Sequence, residues 1–137
     1  MKSININTGQ NIQLTVFPDG QPHVNISGVE EGDDVSLTCS LTSSDKVLQL
    51  LMAADALDNL FARKKLLIIP YLLGARYDRL MLPGDSIDIK VMAKLINSCG
   101  FDKVILFDVH SDASSLLINH AVNISNKKLV EKYSKEN

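Results

Sequence analysis

Hydrophobic and polar positions change period several times along this chain, and each change marks a predicted element. Ile4–Ile6 and Ile12–Phe17 alternate with period two on either side of Asn7, Thr8, Gly9 and Asn11, the pattern of a hairpin. Pro18-Asp19-Gly20 is a second turn signal, because proline presets φ and glycine accepts positive φ. Val24–Ile26 resumes as strand, and Glu30–Asp34 is a polar turn ahead of a further strand at Val35–Cys39. Ser43 and Ser44 offer caps for a helix running to Phe61, with Val47, Leu50, Leu51, Ala54, Leu57 and Phe61 toward the core.

The next stretch carries the candidate chemistry. Two apolar runs, Leu66–Ile69 and Val104–Phe107, each give way to charged residues. Between them, Asp85–Cys99 has Ile89, Met92, Leu95, Ile96 and Cys99 at the spacing of one helical face. Asp85 with Asp88 resembles a capping arrangement for that helix, and Gly100 ends it. Strand, helix, strand with a crossover of this length predicts a right-handed βαβ unit with parallel strands. Ligands of such sheets bind outside the carboxyl ends of the strands. Arg76, Asp78 and Arg79 follow the first strand, and Asp108, His110 and Asp112 follow the second, so both clusters fall at that edge. A cationic cluster beside an acidic one suits a polyphosphate and its metal. After Asp112 come a short helix-like turn, a strand at Ala121–Ile124 and a polar helix from Lys127 to the end. The order of elements predicts an α/β domain: a mostly parallel sheet flanked by helices, with an antiparallel flap.

Each cluster also has a plainer reading. Asp112 can cap the next turn while His110 packs, and Asp78 can pair with a neighbouring arginine on a surface loop. Magnesium prefers oxygen donors, whereas an imidazole suits zinc-like ions better. Arginine nonetheless matches phosphate well, because its planar fork donates two parallel hydrogen bonds. His23 and His120 are isolated and read as surface or structural histidines.

Composition narrows the classes. A chain of 137 residues is read as one domain, 1–137, and is long enough to bury a core. Its net charge of −2 and lack of a basic stripe argue against nucleic-acid and membrane partners. The apolar stretch Leu66–Leu73 is too short to span a bilayer, and no apolar run follows Lys2 as a secretory signal would require. Cys39 and Cys99 fall in strand-like and helical runs, which predicts buried, reduced thiols and a cytoplasmic protein. Neither GxxxxGK[ST] nor GxGxxG occurs, so the usual phosphate-cradling loops are missing.

Taken together, the segments resemble the N-terminal half of ribose-phosphate pyrophosphokinase (phosphoribosyl-pyrophosphate synthetase). The family's FSDGE loop matches Phe17-Pro-Asp-Gly-Gln21, and its PYxxxARQDR matches Pro70-Tyr-Leu-Leu-Gly-Ala-Arg-Tyr-Asp-Arg79. Its VDLHADQ matches Phe107-Asp-Val-His-Ser-Asp-Ala113, and its KYIREN matches Lys132-Tyr-Ser-Lys-Glu-Asn137. Gln21 stands for the family's glutamate, Tyr77 stands for its glutamine, and a short hairpin replaces its first strand and helix.

The resemblance implies a phosphoribosyltransferase-like fold and a transferase (kinase) activity: diphosphate passes from ATP to ribose 5-phosphate, giving phosphoribosyl pyrophosphate and AMP for nucleotide biosynthesis. It implies that Phe17 stacks on adenine while Asp19 and Gln21 contact its edge, from a loop lent by a neighbouring subunit of a homo-oligomer. Arg76 and Tyr77 would lie on the ATP phosphates. His110 would hold the Mg2+–ATP end, with Asp108 near the metal. The ribose-phosphate loop and the flexible catalytic loop belong to the family's second domain, which lies beyond this sequence. No catalytic residue is therefore assigned here, and the chain alone is expected to be inactive. Two alternatives stand beside this reading: a non-catalytic binding or assembly subunit of a synthetase complex, and an unrelated metal hydrolase using Asp108, His110 and Asp112.

Overall fold

The alternating residues at the start of the chain serve two sheets, not one hairpin. In the computed structural model, which describes residues 1–72, 80, 82–107 and 113–124, β1 (Lys2–Asn5) runs parallel to β4 (Asp34–Thr38). β2 (Ile12–Val16) pairs antiparallel with β3 (Pro22–Ile26) instead. The expected pairing of Ile4–Ile6 with Ile12–Phe17 shrinks to one isolated bridge, Asn5 to Gln10. Burial is the reason: Ile4 and Ile6 are each 1% exposed, which a two-stranded ribbon cannot offer and a larger sheet can. The intervening residues turn the chain out of that sheet. Asn5 Oδ1 accepts from the N–H of Asn7 at 2.8 Å and of Thr8 at 3.2 Å, and Gly9 and Asn11 take positive φ.

The main sheet has the order β1-β4-β5-β6-β7 and is parallel throughout, with β5 at Lys64–Ile69, β6 at Lys103–Phe107 and β7 at Ala121–Ile124. Its register aligns Ile4, Leu37, Leu67, Val104 and Ala121 in one row across all five strands. The first four of these are almost fully buried. Asn5, Thr38, Ile68, Ile105 and Val122 form the next row, on the opposite face, and none of them is fully buried. Period two along each strand thus places the main core on one face. The strands α1 (Ser44–Asn59), α2 (Asp88–Ser98) and α3 (Ala113–Leu117) connect are adjacent, and right-handed crossovers in one direction stack the helices over a single face.

Ser43 caps α1, its Oγ accepting from the Lys46 N–H at 3.4 Å. Val47, Leu50, Ala53, Ala54 and Leu57 fill the core as the periodicity requires, with Leu51 half buried beside them. Phe61 does not join them. The helix closes at Leu60, leaving Phe61 in the left-handed region with φ 56 and its side chain 70% exposed. The start of α2 also differs from expectation. Asp85 accepts from the Leu82 N–H at 3.1 Å and so closes the preceding turn. Asp88 accepts from the Ser86 hydroxyl, leaving Ile87 as an N-cap without a side-chain bond. Gly100, at φ 70, ends the helix as predicted. The predicted helix from Lys127 lies outside the described residues.

A largely shielded cation ties these layers. Lys65 on β5, with its side chain 11% exposed, donates to Asp58 of α1 at 2.5 Å and to the Cys99 carbonyl after α2 at 3.3 Å. It also lies 5.7 Å from the centre of the Phe101 ring. The carbonyl end of a helix attracts a cation, so Lys65 stabilises the C-terminus of α2 while pairing with α1. At the sheet's other surface Arg63 forks onto Asp34 at 3.0 and 2.6 Å. That guanidinium holds the Asp34 carboxyl below its ordinary value. Cys39 and Cys99 are free and buried, as expected, and burial pushes each thiol up to about 11. No described helix is long and apolar enough to cross a membrane.

Two outcomes follow from this packing. Phe61→Gly should stabilise the fold by about 1 kcal/mol, because a left-handed L-residue costs roughly 1–2 kcal/mol and glycine returns part of that as unfolded-state entropy. Urea unfolding measures it, and a loss of stability would mean the ring carries packing that its exposure denies. The thiols should resist Ellman's reagent at pH 8 until the protein unfolds. In the folded state both stay protonated up to about 11, so their contribution is intact below the unfolded thiol value and drains away as pH rises toward 11. Cys39→Val should flatten the alkaline decline in unfolding free energy; an unchanged slope would rule the thiol out as its source.

Candidate functional site at the hairpin turn and the sheet's carboxyl edge

The sequence expectation rests on two separate places, and the fold treats them differently. The first is the turn between β2 and β3. Gly20 at φ 89 lets the chain reverse, with the Gly20 N–H donating to the Phe17 carbonyl at 2.8 Å and the Phe17 N–H to the Gln21 carbonyl at 2.9 Å. Asp19 reinforces the turn by accepting from the Gln21 N–H at 3.0 Å through Oδ1. The Gln21 amide donates to the Pro22 carbonyl at 3.0 Å. Phe17, Asp19 and Gln21 are therefore held on one rigid tip, all of them exposed.

Phe17 is 45% exposed and its ring lies against His23, with centroids 5.8 Å apart and planes tilted by 30°. In the sequence His23 stands as an isolated histidine. The hairpin register explains its role: His23 pairs with Thr15, which makes it the diagonal neighbour of Phe17 across the ribbon. Counting outward from Pro18-Asp19-Gly20 would have revealed that pair. Buttressed in this way, the ring presents a flat face to solvent, flanked by a carboxylate and an amide. Such a tip can stack on a planar heterocycle and meet its polar edge. It does not enclose one, so any pocket must be completed from outside the hairpin.

The second place is the carboxyl edge of the main sheet. β5 and β6 are direct neighbours, with Ile69 opposite Leu106, so the segments that follow them leave from one edge. The same edge holds the N-terminus of α1 and a lock between strand ends, in which the Asn7 amide donates to Ser40 Oγ at 3.1 Å and accepts from the Ser40 N–H at 3.0 Å. Leu41 extends the pairing to Leu72. Arg76, Tyr77, Asp78 and Arg79 after β5, and Asp108, His110 and Asp112 after β6, lie outside the described residues. Among the described residues no group of three or more His, Cys, Asp or Glu is placed to hold a metal ion.

The chain matches known proteins in sequence and in fold. Residues 1–100 match the family described as the N-terminal domain of ribose phosphate pyrophosphokinase. A ribose-phosphate pyrophosphokinase of Thermococcus kodakarensis is 26% identical over 128 residues, covering 91% of this chain and 45% of its own length. That of Gloeobacter violaceus is 38% identical over 98 residues, covering 69% of this chain and 29% of the relative. The crystal structure of phosphoribosylpyrophosphate synthetase from Mycobacterium smegmatis superposes with a TM-score of 0.78 at 18% identity, covering 99% of this chain and 52% of that one. The chain thus spans about half the length, or less, of the proteins it matches. With the family match covering most of the chain and the same fold present in a synthetase, this protein belongs to the family of ribose-phosphate pyrophosphokinase N-terminal domains.

Proposed function

We propose that this chain is the ATP-side domain of a ribose-phosphate pyrophosphokinase, which transfers diphosphate from ATP to ribose 5-phosphate to give phosphoribosyl pyrophosphate and AMP. The observation that carries the reading is the Phe17–Gln21 tip, rigid and exposed in a chain whose first hundred residues match the family. In this reading Phe17 stacks on adenine, and Asp19 and Gln21 meet its edge. Arg76 and Tyr77 take the phosphates leaving the carboxyl edge of β5. Asp108 and His110, after β6, hold the end of the nucleotide that carries Mg2+. A carboxylate oxygen fits magnesium well and an imidazole less so, and the two together would serve the metal and the phosphates it bridges to. When bound, magnesium neutralises charge on the transferred group. The chain's own contribution is to position the nucleotide and offset its negative charge, where most catalysis of such transfers lies.

A tip that cannot enclose its ligand argues for a neighbouring subunit, so the working form is a cytoplasmic homo-oligomer. In this reading ribose 5-phosphate is recognised by the family's second domain in the complete enzyme. Aligning two bound reactants supplies much of the rate enhancement, and this chain offers contacts to one.

The test is calorimetric titration with Mg2+–ATP. Arg76→Ala should weaken binding by about tenfold, in line with a lost charge-assisted hydrogen bond, and Arg79→Ala should weaken it less. Equal losses would contradict the assignment. Incubated with Mg2+, ATP and ribose 5-phosphate, the chain alone should release no AMP above background, and robust turnover would overturn the division of labour between halves.

A further inference from the structure

The backbone of Phe17 has little freedom left. Its N–H donates to the Gln21 carbonyl at 2.9 Å, its own carbonyl accepts from the Gly20 N–H at 2.8 Å, and Pro18 after it disfavours helical backbone. What remains free is rotation of the side chain. Continued outward from the pairs Thr15–His23 and Val16–Pro22, the hairpin register puts Thr15, Gln21 and His23 on the same face as Phe17. Thr15 has no flat surface to offer. The Gln21 amide is engaged by the Pro22 carbonyl at 3.0 Å. His23 is the neighbour that meets the ring, 5.8 Å from centroid to centroid at a tilt of 30°, a separation at which aromatic pairs attract. Its imidazole in turn lines a groove with Leu51, Met52, Asp55 and Asn59 of α1, so Phe17 is backed by His23 and His23 stands beside the helix.

We propose that His23 is a positioning residue for the nucleotide base, holding the Phe17 ring in the orientation in which its free face stacks on the heterocycle. This rests on the reading of the tip as the adenine contact. A ring that rotates freely without ligand has to be ordered as the heterocycle arrives, and that ordering subtracts from affinity. A ring already backed on one face meets the heterocycle with the other and loses less freedom. His23 acts through Phe17, so it governs the part of the affinity that depends on the base and leaves the phosphates to other residues. The imidazole serves by being flat. Another flat ring can therefore replace it, whereas a β-branched side chain that suits a strand cannot.

Calorimetric titration of the whole chain with Mg2+–ATP and, separately, with Mg2+–tripolyphosphate divides base contacts from phosphate contacts. His23→Ala should weaken ATP binding by about three- to tenfold, the cost of ordering one side chain, and should spare the binding of tripolyphosphate. His23→Tyr should restore most of the affinity for ATP, and His23→Val should not. Thermal melts confirm that each variant folds, and valine, a good strand former, keeps the hairpin where alanine loosens it. A valine variant that binds ATP as the wild type does overturns the proposal, as does a tyrosine variant no better than the alanine one. A folded His23→Ala chain that loses both ligands alike overturns it too, because His23 would then merely hold the hairpin together. Phe17→Ala keeps two failures apart. If it weakens ATP binding while His23→Ala does not, the assignment of His23 alone falls; if neither changes ATP binding, the adenine reading of the tip falls with it.

Discussion

Parallel pairing of β4, β5 and β6 is the constraint on which the remaining structure depends. Strands that run the same way cannot be joined by a tight turn, so each must be followed by a crossover long enough to return the chain to the starting edge. The crossovers here are α1 and α2, and their apolar faces bury the row from Ile4 through Val104. The same requirement puts the carboxyl ends of the parallel strands and the starts of the helices that follow them at one edge. A chain that buries its apolar residues this way has little choice about where its chemistry goes. Arginine-bearing and Asp-His-bearing segments lie far apart in sequence, yet they depart from neighbouring strands.

The hairpin answers to a different kind of constraint. Its turn is specified locally, by a proline, an aspartate that accepts a backbone N–H two residues on, and a glycine with positive φ. Its position is specified globally, by β3 packing on α1. The result is a tip whose conformation is fixed but whose Phe17, Asp19 and Gln21 side chains face solvent. Rigidity without enclosure means that the ordering cost of Phe17 is met before any ligand arrives, while the opposing wall must come from elsewhere.

Inside the fold, polar groups are used sparingly and for placement. Lys65 reaches α1 and α2 from the strand between them, so one side chain sets the spacing of three elements. The Asn7–Ser40 lock does the same for the ends of β1 and β4. Among the described residues Gln49 departs from this: it is 6% exposed and its Oε1 has no hydrogen-bond partner. An unmet buried acceptor costs about 1–3 kcal/mol, and the rest of the core offsets it.

Much of this was legible in the residues themselves. Apolar runs located β5 and β6, and period 3.6 located the apolar faces of α1 and α2, because burial of a strand or of one helical face requires those patterns whatever the neighbours are. The turn at Pro18-Asp19-Gly20 was equally plain, since its chemistry lies within a few consecutive residues. The candidate site was legible as segments, through Phe17–Gln21, Arg76–Arg79 and Asp108–Asp112. Pairing was not. Ile4 and Ile6 alternate as well for a hairpin as for a parallel edge strand, and only the available burial beside Leu37 decided between them. Phe61 fits the helical period, but the chain must leave α1 and enter β5 within a few residues, which forces it outward at positive φ. Asp85 and Asp88 have the spacing of a cap, yet the turn before α2 claimed both carboxylates. Local spacing determined which elements form, because it is a property of consecutive residues. Partners, caps and the buttress of Phe17 by His23 were left to tertiary structure, because they depend on which surfaces meet once those elements compete for the same core.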